Sequence, residues 1–391
     1  MNRSKKGTVL QIIPSLHSGG VERGVIDTAN ELKKQGFAPI VASNGGSMTS
    51  LLEKSQIKHI KLNLQTKNPL KLFTNIKKIR EISKDNKVDI IHIRSRAPMI
   101  SSYFACKDNS NIKTVSTIHG PYSVNLTNFK PLCNLKRFYN SFMFKSDAII
   151  TVSNFIKEYS IKNYQPLFNK KLEDKITIIP RGVDTQIFDP DVICDKETVK
   201  LKKEWGICEN KKVILFPARI TSWKGHEFLI EALKNVKNDY ICVFIGSNHG
   251  HEEFCNKIKG KIKDSDLDSK IKFLGNQKNM PLAYSTADIV ISASTKPEAF
   301  GRVAIEGQAM KKITIATNIG GSLETIINGE TGFLVENKEI ADFTSKIDKA
   351  LSLSQKDSQE IGNAARENIL KNFTNQRMFD STIEVYKKLL L

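Results

Sequence analysis

Residues 8–42 read TVLQIIPSLHSGGVERGVIDTANELKKQGFAPIVA. Val9 to Ile13 is apolar except for Gln11, Val21 to Gly36 repeats its apolar residues at helical spacing, and Ala38 to Ala42 is apolar again. Strand, glycine turn, helix and strand in that order form the repeating unit of a parallel doubly wound sheet. Outward from it, Asp89 to Ile93, Thr114 to Ile118, Ala148 to Val152 and Ile176 to Ile179 are further short apolar runs, with a helical segment at Leu70 to Asp85. The stretch Pro190 to Lys203 is polar and strand-poor. The pattern then restarts with strands at Lys212 to Pro217, Tyr240 to Ile245, Ile271 to Leu274, Ile289 to Ala293 and Thr314 to Thr317. Helices are expected at about Lys224 to Lys234 and near Glu252 to Lys263. Phe373 to Leu391 reads as a terminal amphipathic helix, with Met378, Phe379, Ile383, Tyr386 and Leu390 on one face. Two α/β domains are expected, meeting near residue 190.

The chain has 391 residues, 40% of them hydrophobic and 26% charged, which suits two cores rather than a disordered tail. No stretch has the roughly 18 apolar residues that span a bilayer. The basic start, Met1 to Lys6, leads into the short run Thr8 to Pro14, which reads as a first buried strand rather than a signal peptide. Cys106, Cys133, Cys194, Cys208, Cys242 and Cys255 form no C-x-x-C pair and no metal-ligand spacing with histidine. A reducing cytoplasm is therefore expected. The formal charge of +19 is uneven: residues 1–190 hold 30 Lys and Arg against 14 Asp and Glu, whereas residues 191–391 hold 30 against 27. A basic first half suits nucleic acid, an acidic substrate or an anionic membrane surface. No aromatic-basic recognition module is present, so nucleic acid is not expected.

Ligands of open parallel sheets lie beyond the carboxyl ends of the strands, and the residues there are distinctive. After the first strand, Gly19 and Gly20 precede a helix whose amides and dipole favour negative charge. The G-x-G-x-x-G spacing of a dinucleotide site is absent, which argues against an oxidoreductase. A Gly-Gly pair serves equally as a tight turn. His119 and Gly120 follow the strand ending at Ile118; a lone histidine there is either a substrate contact or a hydrogen-bonded structural group. Arg219 and Lys224 stand five apart after the first strand of the second half, two cations suited to a diphosphate. In Lys296-Pro-Glu298-Ala-Phe300-Gly301-Arg-Val-Ala-Ile-Glu306, two carboxylates lie eight apart around the start of a helix. Carboxylates accept hydrogen bonds from vicinal hydroxyls, and the amides about Phe300, Gly301 and Arg302 face the same side. The combination suits a sugar nucleotide. Gly320-Gly321 repeats the small-residue turn after the next strand.

The set Ser18-Gly19-Gly20, His119-Gly120, Ile179-Pro-Arg-Gly-Val-Asp184, Arg219 with Lys224-Gly225, and Glu298-x7-Glu306 with Gly332-Phe-Leu-Val335 resembles the retaining family-4 glycosyltransferases, also called glycosyl transferases group 1. The resemblance covers almost the whole chain and implies the α/β GT-B architecture: two Rossmann-like doubly wound parallel-sheet domains facing a central cleft. It implies an acceptor-side domain over 1–190, completed by a crossover helix over 373–391, and a nucleotide-sugar domain over 191–372. It further implies that Arg219 and Lys224 neutralise the donor diphosphate, Glu306 binds the ribose hydroxyls and Glu298 contacts the transferred hexose. By the same resemblance His119 and Gly20, beside Gly19, approach the donor sugar, and the amides of Phe300 and Gly301 complete the contacts. The family often has Asn where this chain has Arg181, to which no role transfers.

The activity so implied is hexose transfer from a UDP- or GDP-sugar with retained anomeric configuration. No cofactor and no metal is expected: Asp264-Ser-Asp266-Leu-Asp268 matches D-x-D but precedes a strand in a polar, lysine-flanked stretch, where it reads as a solvated loop. For the acceptor, His92-Ile-Arg94-Ser-Arg96-Ala-Pro98 follows a strand of the basic domain, and Lys71 to Lys87 and Asn125 to Lys145 mix basic with apolar residues. The expected acceptor is a lipid-linked or saccharide precursor of cell-envelope polysaccharide or lipopolysaccharide, met by a cytoplasmic enzyme peripheral on the inner face of the cytoplasmic membrane. The alternatives are a sugar-nucleotide epimerase and a catalytically idle sugar-nucleotide-binding protein.

Overall fold

The computed structural model describes residues 6–17, 19–65, 68–122 and 130–391, without the side chains of 69 and 130–134. Met1 to Lys5, Ser18 and Asn125 to Phe129 of the segments singled out above lie outside the described residues.

The first sheet has seven parallel strands: β1 (Thr8–Ile12), β2 (Ala38–Ser43), β3 (Lys58–Lys61), β4 (Ile90–Ile93), β5 (Lys113–Ile118), β6 (Ala148–Thr151) and β7 (Ile176–Ile178), ordered β3-β2-β1-β4-β5-β6-β7. The second has six: β8 (Val213–Pro217), β9 (Ile241–Ile245), β10 (Ile271–Phe273), β11 (Ile289–Ser292), β12 (Ile313–Thr317) and β13 (Phe333–Val335), ordered β10-β9-β8-β11-β12-β13. Both are doubly wound, with the strand order reversing beside β1 and β4 in one and beside β8 and β11 in the other. These switch points are where open sheets hold ligands. Strands covered by helices on both faces read as unbroken apolar runs. All five residues of β1 are buried, and Gln11 answers its burial by donating to the Val25 carbonyl at 3.0 Å.

β3 is absent from the sequence reading because Lys58-His59-Ile60-Lys61 is an edge strand with both lysines exposed, a composition that discourages further pairing. The helix expected from Lys224 begins at His226, after a 3-10 turn over Ser222–Lys224. Gly225 between them has φ 83°, and a Cβ on it would lie 1.8 Å from the Ala293 carbonyl oxygen. Only glycine lets these two loops cross. His226 behind it is fully buried among Phe216, Phe244 and Phe254, and this burial pushes its pKa down to about 4.

The chain divides into two compact units, residues 1–180 with 379–391, and residues 181–378. The division comes earlier than residue 190. Val183 donates to the Phe373 carbonyl at 2.8 Å and accepts from the Asn375 amide at 3.0 Å, tying residues just past 180 to the second unit. The terminal helix runs Asn375–Leu390, two residues shorter at its start than expected. Phe373 instead packs edge-on against Phe300 at 5.8 Å. From Phe379 onward the helix belongs to the first unit, where the Tyr386 hydroxyl meets His92 Nδ1 at 2.5 Å.

Candidate active site

In the second unit, the loops after β8 and β11 carry Arg219, Lys224, Glu298, Phe300 and Gly301. Arg219 lies exposed two residues past β8. Lys224 Nζ sits 2.7 Å from Glu298 Oε1, with only 14% and 12% of the two side chains exposed, and 4.4 Å over the Trp223 ring. The same Glu298 oxygen accepts from the Ser294 hydroxyl. The backbone of Glu298 is clamped in turn: its carbonyl accepts from the Gly321 amide at 2.9 Å, and a Cβ on Gly320, whose φ is 63°, would lie 2.5 Å from that carbonyl. The Gly320-Gly321 turn thus aligns Glu298 by close backbone approach.

Gly301 caps the helix Arg302–Ala309, so the amide end of the first turn lies beside Phe300 and Gly301. Glu306 is one turn into that helix and is buried. Its Oε2 accepts from the Tyr284 hydroxyl at 3.0 Å, and its Oε1 accepts from Arg302 Nη2 at 2.7 Å. Full burial, and then the neighbouring Glu306 charge, raise the Tyr284 pKa far above its usual value, so its hydroxyl remains a donor. Tyr284 and Ser294 are absent from the sequence reading, since neither forms a motif with the carboxylate it supports. Lys224, expected with Arg219 to face a diphosphate, is also ion-paired with Glu298. An ammonium has three donors, so Lys224 retains capacity for an anion. Asp264, Asp266 and Asp268 occupy the turn between the helix Glu252–Lys263 and the start of β10, away from these strand ends.

In the first unit, Gly19 caps the helix Gly20–Lys34, and its carbonyl accepts from the Arg23 amide at 3.1 Å. A pocket of about 390 Å³ opens at the ends of β1, β4 and β5. His119 and Gly120 line it, together with Glu22, Arg94, Arg96 and Tyr122. Gly19 and Gly20 stand at the helix start rather than on its wall.

The crystal structure of a glycosyltransferase from Rickettsia africae ESF-5 is 43% identical, the match covers 99% of both chains, and it superposes with a TM-score of 0.90. Family models match residues 197–368 (glycosyl transferases group 1) and residues 18–187 (Glycosyltransferase Family 4). This chain is a family-4 glycosyltransferase. N-acetyl-alpha-D-glucosaminyl L-malate synthase of Bacillus anthracis is 26% identical over 317 residues, 80% of this chain and 78% of that one. The structure of Anabaena HepE with UDP-glucose is similar in fold, with 20% identity, a TM-score of 0.81 and coverage of 98% of this chain and 100% of that one. The family-4 glycosyltransferase has two Rossmann-like domains of GT-B type, and none of its described helices is long and apolar enough to cross a membrane.

Proposed function

We propose that this glycosyltransferase moves a hexose from a UDP- or GDP-sugar to a lipid-linked or saccharide acceptor, with retention at the anomeric carbon. The observation that carries the reading is the Lys224–Glu298 pair beside the amide end of the helix Arg302–Ala309, with Glu306 inside that helix. Arg219 and Lys224 take the diphosphate, Glu306 the ribose diol, Glu298 the hexose hydroxyls, and the amides of Phe300 and Gly301 the remaining oxygens. In the other domain, His119 and the Gly19-Gly20 turn are the candidate sugar contacts. HepE, of the same fold, was crystallised with UDP-glucose, and the Bacillus relative's name describes an N-acetylglucosaminyl malate conjugate.

Breaking the bond from C1 to the phosphate oxygen leaves positive charge on the sugar and negative charge on the diphosphate. Fixed cations and helix-end amides stabilise the latter more in the transition state than in the ground state. The acceptor oxygen bonds to C1 on the face that the phosphate leaves, and the acceptor proton passes to the departing phosphate oxygen. This chemistry requires neither metal nor a protein general base. The basic first domain favours an acidic acceptor or an anionic membrane surface. Leu70 and Phe73, 78% and 73% exposed beside Lys71, Lys77 and Lys78, suit contact with a lipid surface. Such an acceptor fits cell-envelope polysaccharide or lipopolysaccharide assembly on the cytoplasmic face of the membrane.

The test is nucleoside diphosphate release from a panel of UDP- and GDP-hexoses, with and without a crude lipid extract and with and without EDTA. Release from one donor, increased by the extract and unaffected by EDTA, is expected. Loss in EDTA with recovery in manganese would contradict the metal-free reading, and release of a changed sugar nucleotide without any acceptor would favour an epimerase.

A further inference from the structure

Arg94 follows β4 and is 4% exposed, yet among the described residues it has no acidic partner and its Nε has no hydrogen bond. Its polar side-chain neighbour is His92, 3.5 Å from Nη1. That imidazole is already engaged on both sides, by the Tyr386 hydroxyl at 2.5 Å and by Thr117 Oγ1 at 2.7 Å. Burial, and then Arg94 itself, hold the His92 pKa well below the usual value, and an imidazole supplies no negative charge to the guanidinium in either protonation state. A buried cation without a counterion is costly, and native proteins seldom carry one without a use for it.

Arg94 lines the pocket of about 390 Å³ described above. On the same wall, Arg96 lies 4.7 Å over the Tyr122 ring and donates to Asn140 Oδ1 at 3.3 Å, which fixes its direction while leaving further donors. Glu22, the carboxylate of the wall, forms no ion pair with either arginine among the described residues. The volume suits a small polar ligand. We propose that Arg94, supported by Arg96, is the anion-binding subsite of the first domain and takes the phosphate or carboxylate of an acidic acceptor. The identity of that ligand as the acceptor rests on the transferase reading; the anion site does not.

The test is a thermal-melting and calorimetric titration of the full chain with inorganic phosphate, and with acetate in a parallel arm, at low ionic strength. Wild type, Arg94→Gln, Arg96→Gln and Arg219→Gln are compared, the last to remove anion binding at the donor site. Wild type and Arg219→Gln are expected to be stabilised by the anion, whereas Arg94→Gln loses about tenfold or more in affinity and Arg96→Gln loses less. Without anion, Arg94→Gln is expected to melt no lower than wild type, because it removes an unneutralised buried charge. Equal anion binding by wild type and Arg94→Gln would overturn the proposal, as would a failure of Arg94→Gln to fold, which would make Arg94 a structural group. Loss confined to Arg219→Gln would overturn it while leaving the donor reading intact.

Discussion

Lys224→Met is expected to lower kcat for nucleoside diphosphate release by about 100- to 1,000-fold, the usual cost of removing one fixed donor from a developing negative charge. It also strands Glu298, which is 12% exposed and whose neighbour Ser294 supplies only a hydroxyl. Breaking a largely buried ion pair by removing one partner costs about 3–5 kcal/mol, so the denaturant midpoint should fall. The double variant Lys224→Met with Glu298→Gln separates the two roles. Removing both charges should restore most of the stability and none of the activity. Full recovery of activity in the double variant would mean that Lys224 serves only to neutralise Glu298.

Glu306→Ala is expected to raise the donor KM by about 10- to 100-fold, since a hydrogen bond to a charged group contributes about 1.5–3 kcal/mol. The same variant leaves the Tyr284 hydroxyl fully buried and unpaired, adding a stability loss of about 1–3 kcal/mol. Tyr284→Phe is the control: it removes the donor to Oε2 but leaves the carboxylate and its Arg302 partner, so KM should change by much less. Steady-state kinetics with the preferred donor check both. An unchanged donor KM in Glu306→Ala would assign Glu306 to holding Tyr284 and Arg302 rather than to the nucleotide.

The fold was legible because strands buried on both faces leave unbroken apolar runs, as in Val213–Pro217 and Ile289 to Ile291. Where that condition fails, so does the reading: the lysine-flanked edge strand β3 shows no such run. Helix starts were less legible, because the helix near Lys224 is delayed to His226 by the backbone crossing at Gly225 and Ala293, a contact that spacing does not encode. At the site, Lys224, Glu298 and Glu306 stand out as charged residues beside glycine turns. Their mutual arrangement does not, since Lys224 and Glu298 meet across 74 residues and Tyr284 reaches Glu306 across 22. Arg94 was visible as part of a basic segment, but its burial without a counterion emerges only when β1, β4 and β5 place its pocket in one fold.

The most direct test of the central claim follows the anomeric carbon. The chain is incubated with donor labelled with carbon-13 at C1, together with the lipid extract, and the C1 resonance is monitored beside a Glu306→Ala control. The expected result is loss of the donor C1 signal, matched by nucleoside diphosphate, and its reappearance in a glycoside of the same anomeric configuration. A glycoside of inverted configuration, or a changed sugar still attached to its nucleotide, would contradict retaining transfer.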